Sequence, residues 1–137
     1  MNDPYGPPPP DQPQGAALTQ EDRTWALASH VGSLVSAWFA FGFLAPLVVM
    51  LLKSDSPFVR RHAVESLNFQ ISLLIYGLVG TVVAFVLTLA TLGIGLIIII
   101  PVVAVLALIV LTLIIVATVK ASNGEEYRYP LTLRLIS

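Results

Sequence analysis

His62 and Glu65 stand three residues apart in SPFVRRHAVESLNFQIS, residues 56–72, and Asn68 and Ser72 follow them. Side chains of these types can ligate a metal, relay a proton, hold a solute by hydrogen bonds, or tie helices together. Their spacing narrows the choice. Arg61, Glu65, Asn68 and Ser72 fall at i, i+4, i+7 and i+11, which puts them on one face of a helix, with His62 beside it. Continued by fours, the same face carries Tyr76, Gly80 and Ala84. It begins charged, turns polar and ends small.

A metal centre is the weakest reading. His62 and Glu65 would supply two ligands and His30 a remote third, but the chain holds only two histidines and no cysteine. Zinc needs three or four ligands in a closed geometry, so neither a metal nor another cofactor is expected. A His62–Glu65 proton relay is chemically open. His30 lies among Ser29, Gly32, Ser33 and Ser36, which reads as a small-residue packing face around one satisfied histidine. No Gly-x-Ser-x-Gly elbow, phosphate loop or His-Glu-x-x-His motif occurs, so no enzyme is expected.

The elements that carry these residues belong in a bilayer. Of the 137 residues, 56% are hydrophobic and 11% charged. Between Glu65 and Lys120 no formal charge occurs over residues 66–119. As one helix that run would extend about 80 Å, whereas a bilayer core of about 30 Å takes roughly 20 residues, so it must be two spans and a turn. A net charge of −1 and the lack of a basic run argue against nucleic acid as a partner. Absence of cysteine leaves the redox compartment open, and no cleaved signal peptide is indicated.

Residues 1–18 hold six of the ten prolines and no apolar periodicity, and are expected to form a disordered, solvated tail. Thr19 and Asp22 have the form of a capping box, so a helix should start near Gln20. The charge-free run from Thr24 to Leu52 is long for one upright span and short for two. It is either one tilted helix or a hairpin broken near Phe41–Gly42–Phe43. A hairpin places all seven basic residues on one side and leaves the polar tail untranslocated, which makes it the preferred arrangement. The 53–61 loop, the C-terminus and the N-terminus are then cytoplasmic.

Ser56 and Pro57 make an N-cap and a first-turn proline for a helix over about 57–91. Gly93 and Gly95 supply a break, and a further helix follows over about 96–121, with Pro101 inside it and Asn123–Gly124 as its stop. Beyond it, Tyr127, Tyr129, Leu131, Leu133 and Leu135 alternate with Arg128, Pro130, Thr132 and Arg134. Residues 125–137 therefore suit an extended strip at headgroup level, with Asn123, Gly124, Tyr127, Arg128, Tyr129 and Pro130 as its motif. The fold class is an all-α integral membrane protein: an N-terminal helix or helical hairpin over about 20–53, then two transmembrane helices.

The stretches SPFVRRHAVESLNFQIS and ASNGEEYRYPLTLRLI, with APLVVMLLKSDS before them, resemble a family of small bacterial membrane proteins carrying a domain of unknown function. That family is distantly similar to the Tic-twenty subunit of the chloroplast inner-envelope import translocon. The resemblance covers about residues 20–137 and is most specific at His62–Ala63, at 65–70 and at 123–130. It implies a multi-pass inner-membrane protein with both termini on one side, and no catalytic residues.

Two functions follow as expectations. One is a non-enzymatic scaffold or channel-like subunit that packs helices against lipid, against further copies of itself as a homo-oligomer, or against a membrane-protein partner. The other is an oligomeric transporter or translocation pore, with His62, Glu65 and Asn68 lining a polar path.

Overall fold

The computed structural model describes residues 17–37, 42–53 and 55–137. The proline-rich tail expected over 1–18 lies, up to residue 16, outside the described residues, as does Phe41 of the expected break. Four helices are present among the described residues: α1 (Gln20–Ala37), α2 (Leu44–Leu52), α3 (Pro57–Ala90) and α4 (Leu96–Ser122).

Local chemistry starts and stops these helices. The Asp22 amide donates to Thr19 Oγ1 at 3.0 Å and the Thr19 amide to Asp22 Oδ2 at 3.0 Å, a reciprocal cap that opens α1. Ser56 caps α3, accepting from the Val59 amide, and Pro57 occupies the first turn, where no N–H is needed. At the end of α4, Glu125 N–H reaches the Lys120 carbonyl at 2.9 Å and Gly124 N–H the Ala121 carbonyl at 3.1 Å. Gly124 sits at φ 77°, so this is a Schellman stop with glycine where the left-handed residue must be. The end of α3 has the same pattern one residue out of step. Gly93 N–H bonds Thr88 O at 2.8 Å and Leu92 N–H bonds Leu89 O at 3.2 Å, which places Leu92, at φ 50°, in the left-handed position.

α1 and α2 form the hairpin alternative for residues 24–52. They run antiparallel, and Lys53 beyond α2 pairs with Glu21 at the start of α1 while lying 5.5 Å over the Trp25 ring. A Cβ on Gly32 would stand 2.6 Å from Ala45 Cβ, so the glycine is what lets the two helices approach.

α3 divides into two environments along 34 residues, about 51 Å. From Phe58 to Phe69, with Ser72, almost every side chain is buried, whereas Leu74 to Leu89 is largely exposed and apolar. α4 mirrors it: residues 96–112 are exposed and apolar, and Ile114, Ala117 and Ala121 are buried. Helices hydrophobic all round and exposed all round belong in lipid. α3 and α4 are each long and apolar enough to cross a membrane, and the 18-residue stretch that qualifies α3 has no buried residue. Such a stretch is about 27 Å long, close to a bilayer core.

The remaining residues form a head at one end of this pair. It gathers the start of α1, the end of α2, the start of α3, the end of α4 and residues 125–137. All seven basic residues lie in it, since 74–113 carry no charge. Its apolar core has three parts: Phe69 with Ile114, Ala117 and Tyr129; Ala26 with Phe58 and Ala121; and Val49 with Val59 and Ala63.

Candidate functional site

The polar face of α3 meets the chain's own C-terminal segment. Asn68 Nδ2 donates to the Ile136 carbonyl at 2.8 Å, and Asn68 Oδ1 accepts from the amides of Leu135 at 3.0 Å and Ile136 at 2.9 Å. Ser72 Oγ accepts from the Leu133 amide at 2.8 Å and donates to the Asn68 carbonyl at 2.7 Å. One turn further, Tyr76 Oη donates to the Leu131 carbonyl at 2.8 Å. These bonds are made to main-chain groups, so α3 holds residues 131–136 much as a neighbouring strand would.

Charged side chains fix both ends of the segment. Arg61 pairs with Glu126 at 2.7 Å and Arg60 donates to the Ser137 carbonyl at 2.9 Å. Glu65 is 1% exposed, and its Oε1 accepts from the Tyr129 amide at 2.6 Å and from Arg134 Nη2 at 3.2 Å. Its Oε2 has no hydrogen-bond partner. Arg61 and Glu65, one turn apart, thus pair with the segment and not with each other, because it presents an acid to Arg61 and a base to Glu65.

Beneath the segment lies a chain of three buried rings. Tyr129 Oη is 3.0 Å from His30 Nδ1, His30 Nε2 is 2.9 Å from His62 Nδ1, and His62 Nε2 is 3.1 Å from the Glu125 carbonyl. A carbonyl only accepts, so His62 carries its proton on Nε2 and accepts on Nδ1. His30 must then donate from Nε2 and accept on Nδ1, and Tyr129 donates to it. Both imidazoles are neutral, and every ring nitrogen is satisfied in one direction. Burial, with the His62 ring as a second cause, pushes His30 down to about 3, and burial pushes the Tyr129 hydroxyl well above its ordinary range. Phe69 stacks on Tyr129 at 3.9 Å and 6°, and Phe58 meets His62 edge-on at 4.6 Å.

The sequence-predicted residues therefore converge, though on different partners. His30 and His62 meet each other and Tyr129, and among the described residues no group of three His, Cys, Asp or Glu is placed to hold a metal. The serine face of α1 is buried: Ser29 offers its carbonyl to Ser66 Oγ at 2.9 Å, and Ser33 Oγ donates to the His30 carbonyl at 2.6 Å. In residues 125–137 the tyrosines and leucines of the expected strip do not share one side. Tyr129 is 1% exposed and turned into the head, while Leu131, at φ 56°, and Leu135 point outward.

Below the head, α3 and α4 separate. They leave an apolar groove of about 640 Å³, lined on α3 by residues including Leu73, Gly77, Gly80 and Ala84 and on α4 by residues including Val103 and Ala107. A Cβ on Gly77 or Gly80 would meet nothing within 4 Å.

The family model described as the magnetosome magnetite crystal formation protein family, MamF/MmsF, matches residues 21–136. The chain belongs to this family. The MamF/MmsF match takes in the four helices, but for Gln20, and the C-terminal segment up to Ile136, and so the polar site but for the Ser137 carbonyl. Neither a curated protein nor a solved structure matches the chain. The resemblance at His62–Ala63, at 65–70 and at 123–130 implied a small bacterial membrane family, and MamF/MmsF is such a family.

Sequence reasoning missed the role of Tyr129 and the cradle that α3 makes for the C-terminal segment. One signal was available. Arg60–Arg61 and Glu125–Glu126 are complementary doublets at the start of α3 and just past α4, and antiparallel spans bring those two points together.

Proposed function

We propose that this chain is a non-enzymatic membrane scaffold in magnetite crystal formation, anchored by α3 and α4 and acting through contacts of its spans with further copies or with a membrane-protein partner. The observation that carries this reading is the open groove between α3 and α4. Its lining is apolar, and Gly77 and Gly80 face it with room to spare. In lipid, small residues on a span favour close approach of another helix, since apolar burial alone gives no drive there. The head lies on the cytoplasmic side in this reading, because all the basic residues are in it.

Crosslinking in native membranes tests the scaffold: adducts through position 77 or 80 are expected, and monomer alone would overturn it. Deleting the gene in a magnetite-forming host should alter crystal size or shape, with rescue by the intact chain. The other expectation, a pore lined by His62, Glu65 and Asn68, requires those residues to be uncovered. They lie beneath residues 125–137.

A further inference from the structure

We propose that residues 125–137 are a releasable strap, latched to α1 and α3 by the neutral Tyr129–His30–His62 chain, and that a proton taken up by this chain unlatches it. Release uncovers Glu65, Asn68 and Ser72, which the strap covers when latched.

The proton count carries the argument. Three protons serve three bonds, and the sole ring nitrogens without one are His30 Nδ1 and His62 Nδ1, each already accepting. A fourth proton on His30 Nδ1 forces Tyr129 to accept, so its own hydrogen loses its acceptor inside a site 1% exposed. On His62 Nδ1 the proton meets His30 Nε2–H, and relief again comes by moving the His30 proton to Nδ1 and turning Tyr129. Either route leaves a cation and an orphaned hydroxyl buried together, and both costs vanish when the strap lifts and water enters.

Little in the surroundings compensates. From the strap the rings face Tyr129 and the Glu125 carbonyl, with Tyr127 edge-on to Tyr129. On α3 the neighbours are Arg61, a like charge once His62 is protonated, and Glu65, whose Oε1 is taken by Tyr129 N–H and Arg134 and whose Oε2, without a partner, bonds neither ring. α2 offers Val49 to the head core, and α4 offers Ala117 and Ala121, with Lys120 at the rim paired to Glu125. The strap can swing because its chain leaves α4 at Asn123 and Gly124, with Gly124 at φ 77°, and beyond Glu125 it holds α4 only by the packing of Tyr129 and Tyr127. His30 is held down to about 3 from 6.5, so the release falls between those two values.

Hydrogen exchange on the full chain in lipid nanodiscs tests this, with rates corrected for intrinsic pH dependence. Protection at the Tyr129, Leu133, Leu135 and Ile136 amides is expected to fall about tenfold or more between pH 6.5 and pH 3, while amides of residues 75–89 hold. Strap amides that stay protected through that range, or that fail together with α1 and α3, overturn the proposal. The double variant His30→Gln/His62→Gln should keep its strap down across the range, and an unchanged release in it also overturns the latch. If that variant does not fold at pH 7.5, His30→Gln alone takes its place and is read the same way: a strap that stays down supports the proposal, and an unchanged release defeats it.

Discussion

Asn68 and Ile136 exchange hydrogen bonds in both directions, the side-chain amide donating to the Ile136 carbonyl at 2.8 Å and accepting from its N–H at 2.9 Å. One side chain in α3 thus does what a strand's backbone would do. Asn68 is fully buried, and its oxygen serves the Leu135 amide as well. Asn68→Ala leaves two amides and a carbonyl without partners and should cost about 1–3 kcal/mol. Asn68→Asp keeps the acceptor, loses the donor and should fall between. Reversible unfolding in mixed micelles measures both, and equal stability of wild type and Asn68→Ala would remove the cradle from any structural role.

Tyr129 contributes a ring and a hydroxyl, and substitution separates them. Tyr129→Phe retains the stacking on Phe69 but leaves His30 Nδ1 a buried acceptor without a donor, a loss of about 1–3 kcal/mol. Tyr129→Ala also empties the ring site and should cost about 3–5 kcal/mol. The same unfolding assay ranks them, and the order wild type, Phe, Ala is the expected one.

Stability should rise with pH between about 3 and 6.5. Burial holds the folded His30 at about 3, below its ordinary 6.5, so in that window the unfolded chain binds a proton that the folded chain does not. The contribution is fully present above 6.5 and is lost as pH falls toward 3, by a few kcal/mol at most. Unfolding midpoints at pH 7.5, 5.5 and 4 read it out, and a flat profile would contradict the burial of neutral His30.

How much of this was legible in the sequence depends on range. Thr19–Asp22, Ser56–Pro57 and Asn123–Gly124 act within a few residues, and each marks a helix end where the structure has one. The two spans follow from length and the lack of charge. The cradle was not legible, because α3 grips main-chain N–H and C=O groups that every residue type offers alike. Apart from Arg134, which meets Glu65, residues 131–136 carry no side-chain code for being held. Tyr129 misled for a related reason: its alternation with Arg128 suits an interface, and only the meeting of His30 and His62, 32 residues apart, gives its hydroxyl an acceptor within the head.

Leu92 occupies the left-handed corner of the turn between the spans, at φ 50°, with Gly93 one place beyond it. A Cβ there costs roughly 1–2 kcal/mol. Leu92 is 93% exposed, so no packing is lost on its removal. Leu92→Gly should therefore stabilise the α3–α4 pair by about 1 kcal/mol, read as a raised unfolding midpoint, and a lowered one would show that the leucine has a partner in the membrane.

Three glycines on helices separate folding from association. A Cβ at Gly32 would sit 2.6 Å from Ala45 Cβ, so Gly32→Ala must push α1 and α2 apart and should destabilise the monomer by about 1–3 kcal/mol. At Gly77 and Gly80 a Cβ meets nothing within 4 Å, and alanine there should raise helix stability by about 0.5–1 kcal/mol each. If these two positions receive a neighbouring helix, the larger change Gly77→Leu/Gly80→Leu should leave the monomer folded and cut crosslinked oligomer several-fold in membranes. Monomer stability and oligomer yield are read on the same samples. Oligomer unchanged by leucine at both positions would move the contact away from the α3–α4 groove, while loss of both signals together would mean that the groove serves the monomer's own packing.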